Sequence, residues 1–466
     1  MKHTLEKDLG QEVTWQVSRN RKNKALRNEE LKRMSYLGMS LLVMLLIVCG
    51  LLSAVYAKQD QNNRKYETDI QDGNTASQEE TGQDSSVIRV LIMTDGYRQE
   101  VHSSVEVCAA GGMEICAGET VLETAEGETV QFLPDSTWFQ DGIVRIKARD
   151  GGEVTVTGIT RACGHPSYAG VLELRTTPEG IVVINELPVE TYLCRVVPSE
   201  MPASYELEAL KAQAVCARSY AWQQMESYAY PEYEAHVNDS TDYQVYGNSL
   251  PQEMTDQAVS ETAGQVLCYH GQIVTAYYYS TSCGVTTDVR AWGTPVSEAN
   301  QYLKSVEVRG ENGDYEKDLP WYRWEADIPE EVLSGLIGFY TGKDIGKLKS
   351  IEVTRTGAGN IVLQICAVGD KGSVTVDTEN KIRRALGGSG YEIIKQDGTK
   401  VPGQTLLPSA FFTIEKNEDV YKIRGGGYGH GIGMSQNGAN EMAKNGKTYI
   451  EILTLFFQGI TVEVKM

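Results

Sequence analysis

Residues 37–57 are apolar almost throughout and carry no charged side chain, a run long enough for a helix that spans a bilayer. The pattern then inverts. Residues 58–86 are mostly Gln, Asp, Glu, Asn, Ser and Thr, too polar to bury a core, which predicts a flexible stalk. From residue 87 short apolar or alternating runs return, separated by glycine-rich turns, and predict strands at 88–92, 130–133, 143–146, 154–156, 171–174 and 181–184. A helix is predicted from Ser204 as N-cap, with Leu207, Leu210, Ala214, Ala217 and Ala221 on one face and Ala209 and Ala212 beside them. So many alanines imply close backbone packing, hence a buried helix. Helices are also expected at 254–262, 330–340, 378–386 and 449–457, and strands at 265–269, 273–279, 351–353, 361–365, 374–376 and 461–464. The fold class is α+β, mixed and β-rich, with one transmembrane helix ahead of it.

Charge orients this plan. Arg19, Arg21, Lys22, Lys24, Arg27, Lys32 and Arg33 precede the apolar run, so residues 1–36 read as a basic cytoplasmic tail and everything after 57 as an ectodomain. Ser53 to Ala57 offers a small-residue cleavage site, but the long tail and long apolar run favour an uncleaved, single-pass anchor in the cell membrane. The ectodomain divides into a small β-rich module at 87–164 and a larger domain at 165–466. A formal net charge of −20 argues against nucleic acid as a partner. Cys49 lies in the apolar run, and the other eight cysteines show no CxxC. They read mostly as buried thiols, with room for one or two bridges, Cys108 with Cys116 being the nearest pair.

One carboxylate stands out. Glu200 sits in the stretch Val197-Pro198-Ser199-Glu200-Met201-Pro202, an expected apolar turn just ahead of the alanine-rich helix. A carboxyl stripped of water holds its proton to higher pH, as a general acid requires. The start of a helix pulls the other way, because its positive end favours the carboxylate; burial is expected to win. A glutamate before a helix is also an ordinary surface residue, and the stretch alone does not separate the two. The loop from Gly425 to Gln436 lacks the Lys-Ser/Thr of a phosphate loop and is not a dinucleotide fingerprint. Its glycines allow close backbone approach to a ligand or to another part of the fold. His430, with Ser435 and Gln436 opening a helix, either binds sugar hydroxyls, orients Glu200, or is a structural histidine in a packed turn.

Several separated segments then resemble one family. They are Leu187 to Tyr192, Val197 to Pro202, Glu208 to Ala221, Asp239 to Gly247, Tyr279 to Gly284 with Ala291-Trp292-Gly293, and Gly425 to Gly438. Together and in order, over residues 165–466, they are similar to the stage II sporulation protein D family. That resemblance implies a membrane-anchored peptidoglycan lytic transglycosylase active in engulfment during sporulation, cutting glycan strands that lack stem peptides to 1,6-anhydro-muramyl ends. Glu200 matches the family's catalytic acid, and a single carboxylate suffices because it serves first as acid and then as base. Gln213, Arg218, Ser280, Thr281, Ser282, His430, Ser435 and Gln436 are expected to line the cleft, and Trp292 to face a sugar ring or join the core. Some relatives hold zinc near Tyr279, but Cys283 here has no neighbouring histidine or second thiolate, so no metal or other cofactor is expected. Peptidoglycan strands are the expected partner, with a wall amidase and other engulfment proteins as further candidates. The resemblance also admits two other readings, a non-catalytic amidase enhancer that binds wall glycan and a scaffold in an engulfment complex.

Overall fold

The computed structural model describes residues 87–140 and 142–465. The tail at 1–36, the apolar run at 37–57 and the stalk at 58–86 lie outside them, and among the described residues no helix is long and apolar enough to cross a membrane. The architecture is mixed α+β and β-rich.

Strand Gly180–Pro188 organises the first half. It pairs antiparallel with Val87–Leu91 on one side and with Val171–Thr177 on the other. Beyond Val171–Thr177 the sheet continues through Val144–Ala148, Met113–Ala117 and Thr120–Glu123, while Val237–Asn238 adds in parallel outside Val87–Leu91. The run Ile181-Val182-Val183-Ile184 is continuously apolar because both faces are covered. Ile181 and Val183 enter the main core, whereas Val182 and Ile184 meet Leu91, Met93 and Ala235 on the opposite face. A second sheet orders Val130–Phe132, Val105–Cys108, Val154–Val156 and Ser167–Tyr168. The expected module boundary at 164/165 therefore runs through shared sheets: strands from 87–164 hydrogen-bond directly to strands from 165–188. Separating them would leave open ladder edges.

Helix α1 (Val189–Glu200) follows the central strand without a loop. Val189, Tyr192, Leu193, Val196 and Val197 are its buried side, at helical spacing. The apolar turn expected around Glu200 is thus corrected: Glu200 is the last residue of a helix, and the chain turns extended at Met201, whose N–H still bonds to Val197 O. Helix α2 (Leu207–Gln224) starts later than Ser204. Tyr205 N donates to Pro202 O at 3.0 Å and closes a turn, and the helical ladder begins with Leu210 N to Glu206 O at 3.1 Å. Glu206, rather than Ser204, occupies the N-cap. Ala209, Ala212, Ala214, Ala217 and Ala221 are all buried, as the alanine spacing implies.

Around α2 pack α1, α3 (Glu253–Glu261) and strand Gln265–Tyr269. The second half adds α4 (Glu330–Thr341), α5 (Glu379–Leu386), α6 (Gln436–Lys444) and α7 (Tyr449–Phe456), of which α6 and α7 also reach α2. A five-stranded sheet runs in the order Lys400–Pro402, Glu392–Lys395, Trp324–Pro329, Val420–Gly425, Phe412–Asn417, and a three-stranded one joins Leu348–Thr356, Val362–Gly369 and Ser373–Asp377. The strand expected at 273–279 divides in two. Gln272–Ile273 pairs with Gln265–Tyr269, while Tyr278–Tyr279 crosses to lie parallel to Met434–Ser435. The eight cysteines of the described residues are free thiols, only Cys216 and Cys268 fully buried. Cys108 and Cys116, the nearest pair in sequence, are both free thiols and lie in different sheets.

Candidate active site

The end of α1 delivers Glu200 to a pocket of about 320 Å³ lined also by Tyr220, Thr241, Asp242, Tyr243, Tyr277, Tyr278, Trp292 and His430. Buried Val196 and Val197 fix the helix below, and Gln436 Nε2 donates to Glu200 O at 3.1 Å. Glu200 Oε1 accepts the Val245 N–H at 2.6 Å. Burial pushes the Glu200 carboxyl up to about 7, and the Val245 N–H only partly offsets it. Because Glu200 closes α1, it lies at that helix's negative end, which also favours the protonated form. The opposition expected between helix end and burial is thereby relieved.

Aromatic rings wall the pocket. Tyr220 meets Tyr277 edge-on at 6.2 Å, Tyr277 meets Trp292 edge-on at 4.7 Å, and Trp292 lies 5.2 Å from the His430 ring. Behind them Gln244 Nε2 donates to Tyr278 Oη at 3.1 Å and Gln244 Oε1 accepts from Tyr192 Oη at 3.2 Å, which locks the floor.

His430 is in this wall, but its nitrogens are spent. Nδ1 accepts the Ile432 N–H at 3.1 Å, so Nε2 carries the proton and donates to Tyr278 O at 2.9 Å. Burial lowers its pKa to about 4, with Arg383 adding to the effect. The ring is therefore neutral and structural, presenting a face rather than a donor, and its expected hydrogen bonds to sugar are corrected. The glycines beside it pack against the fold. A Cβ on Gly433, where φ is +77°, would stand 2.1 Å from Tyr277 O, and one on Gly431 would meet Phe411 at 2.5 Å.

The other expected cleft residues go elsewhere. Arg218 is fully buried and spends its guanidinium on Glu190, at 2.7 and 2.8 Å, and on Gln265 O and Val259 O. Gln213 is fully buried in α2, its nearest polar partner being Gln436 at 3.5 Å. Neither presents a surface to a ligand. Thr281, Ser282 and Ser435 are buried as well. Ser435 Oγ donates to Glu316 Oε1 at 2.7 Å, Ser282 N donates to the same oxygen at 2.8 Å, and Ser282 Oγ donates to Oε2. Ser280 and Thr281 are tied to Asn437, whose Nδ2 donates to Ser280 O at 3.1 Å and Thr281 Oγ1 at 3.0 Å. The Ser282 and Ser435 hydroxyls hold a second buried carboxyl and the Thr281 hydroxyl the start of α6, while the half-buried Ser280 hydroxyl meets that of Thr281 at 3.1 Å.

Sequence reasoning missed Glu316, Asp242, Tyr220, Tyr243 and Tyr277. Glu316 is fully buried and raised to about 7 by burial, against its serine donors. In the sequence it sits in a charged run, Asn312 to Asp318, that reads as solvated surface. For Tyr277 and Tyr220 the signal was the unusual tyrosine density, with 25 in the chain. Among the described residues no three His, Cys, Asp or Glu side chains converge, and burial pushes the Cys283 thiol up to about 11.

Residues 177–269 match the family described as Stage II sporulation protein, and residues 286–433 match a domain of unknown function. The chain is 30% identical over 336 residues to Stage II sporulation protein D of Bacillus subtilis (strain 168), covering 67% of this chain and 88% of that protein. Its counterpart in Bacillus amyloliquefaciens is 30% identical over 300 residues, covering 60% of this chain and 75% of that protein. The amidase enhancer of Bacillus subtilis (strain 168) is 31% identical over 294 residues, 57% of this chain but only 39% of that longer protein. With Glu200 inside the matched segment and the alignment running through most of both chains, this chain belongs to the stage II sporulation protein D family.

Proposed function

We propose that the chain is a lytic transglycosylase of the cell wall, tethered by residues 37–57, with its folded part outside the cytoplasm and acting in engulfment during sporulation. One observation carries the reading: a carboxyl group with a pKa of about 7 opens into an aromatic-walled pocket. Aromatic faces suit the C–H faces of sugar rings. The protonated Glu200 gives its proton to the glycosidic oxygen as the bond from the muramyl C1 breaks. The C6 hydroxyl of the same muramyl unit attacks C1, and the Glu200 carboxylate takes that hydroxyl's proton. The products are a 1,6-anhydro end and a free hydroxyl, and Glu200 is protonated again without water being consumed.

Glu200→Gln keeps the shape and removes the transferable proton. On glycan strands lacking stem peptides it is expected to lower turnover by roughly a hundred- to ten-thousandfold; full-rate release of anhydro-muropeptides by this variant would overturn the mechanism. In the wild type, kcat/KM is expected to decline as pH rises through about 7, where the free enzyme's acid is lost. The similarity to an amidase enhancer supports a second reading, in which the pocket binds wall glycan and activates a partner amidase. Incubating the protein with wall material alone separates the two, since an enhancer releases nothing without the amidase.

A further inference from the structure

We infer that the tyrosine-rich loop beside the pocket forms an extended sugar-binding subsite, so that a glycan strand lies across Tyr243, Tyr230 and Tyr228 as it leaves Glu200. The inference rests on reading the pocket as a sugar site. Tyr243 belongs to the pocket wall, and its ring stands 6.4 Å from that of Tyr230. Farther along the loop Tyr228, 44% exposed, stacks on His236 at 4.7 Å and 24°. The loop offers these rings singly along the proposed track, not as one apolar patch, and it also carries the exposed hydroxyl of Thr241 and carboxylate of Asp242. A buried protein helix wants continuous apolar cover, whereas a sugar chain alternates C–H faces with hydroxyls. The exposed Glu226, Glu232 and Asp242 beside these tyrosines disfavour a nucleic acid.

The track is also built in advance. Asn238 Nδ2 donates to Tyr230 Oη at 2.9 Å, while Asn238 Oδ1 accepts from Ser240 N at 2.9 Å and Ser240 Oγ at 2.8 Å. Tyr230 and Ala235 exchange backbone bonds at 3.0 and 3.2 Å. Asp239 is clamped below by Arg161 at 2.7 Å and by the Met93 N–H at 2.9 Å. One asparagine therefore couples the pocket-lining turn to Tyr230. A rigid aromatic surface binds with little loss of side-chain freedom.

The test measures binding of short and long N-acetylglucosamine oligosaccharides to the full-length chain in detergent, in the Glu200→Gln background so that nothing is cleaved. Affinity is expected to rise with oligosaccharide length. Tyr228→Ala and Tyr230→Ala are each expected to weaken long-chain binding by roughly three- to tenfold and to abolish the length dependence. Tyr228→Phe and Tyr230→Phe, which keep the rings, are expected to restore most of it. Equal binding of long and short chains by the parent, or unaltered length dependence in the alanine variants, overturns the subsite and leaves the pocket reading intact. Absence of binding to any oligosaccharide overturns both. If the alanine variants keep sugar affinity but lose stimulation of an amidase, the loop is a protein contact and the subsite is rejected.

Discussion

Glu200 and Glu316 are both raised to about 7 against 4.5 for the free side chain, yet only Glu200 opens to the pocket. For each, the fold binds a proton more tightly than the unfolded chain does. The stabilisation they provide is complete below 4.5 and is lost as pH rises through about 7. His430, lowered from 6.5 to about 4, acts oppositely: its contribution is present above 6.5 and lost as pH falls through about 4. Thermal unfolding followed across this range is therefore expected to show stability declining between 4.5 and 7, with Glu316→Gln flattening that decline. A profile identical in the variant would mean that Glu316 is not protonated in the fold. Ser435 has two duties, donating to Glu316 and accepting the Gly438 N–H at 3.2 Å as the cap of α6. Ser435→Ala is expected to cost about 1–3 kcal/mol in denaturant unfolding, from a lost cap and a stranded acceptor.

Among the elements, α1 is only partly legible in the sequence. Its buried positions repeat at helical spacing from Val189 to Val197, but adjacent valines favour a strand and Pro198 signals a stop. Burial of the whole face overrides both. The alanine helix, by contrast, was legible in nearly full extent, because small residues at helical spacing have few other uses. The hydroxyl segments have no local signature for a physical reason: whether a serine faces a ligand or a buried carboxyl depends on a partner more than thirty residues away in Glu316. The glycine loop tests the packing account directly. Gly433→Ala must place a methyl 2.1 Å from Tyr277 O at φ +77°. It is expected to destabilise the protein by roughly 2–4 kcal/mol, and a melting temperature equal to wild type would refute the tight approach.

For the molecule as a whole, class and order of elements followed from periodicity, while sheet membership did not, since register between distant strands leaves no local trace. The cysteines carry the clearest global prediction. With all eight of the described residues' thiols free, a reducing agent is expected to leave the melting temperature unchanged, and a drop on reduction would indicate a bridge. The placement of Val87–Leu91 has a mechanical consequence. This strand is held on both sides, by Gly180–Pro188 and by Val237–Asn238, with Val90 opposite Val237 and Leu91 opposite Asn238. A pull on the segment ahead of Val87 would load both ladders in shear, the geometry in which several hydrogen bonds must break together. Such a load would pass from Leu91 to its partner Asn238 and on to the turn that carries Thr241 and Asp242 on the pocket's rim.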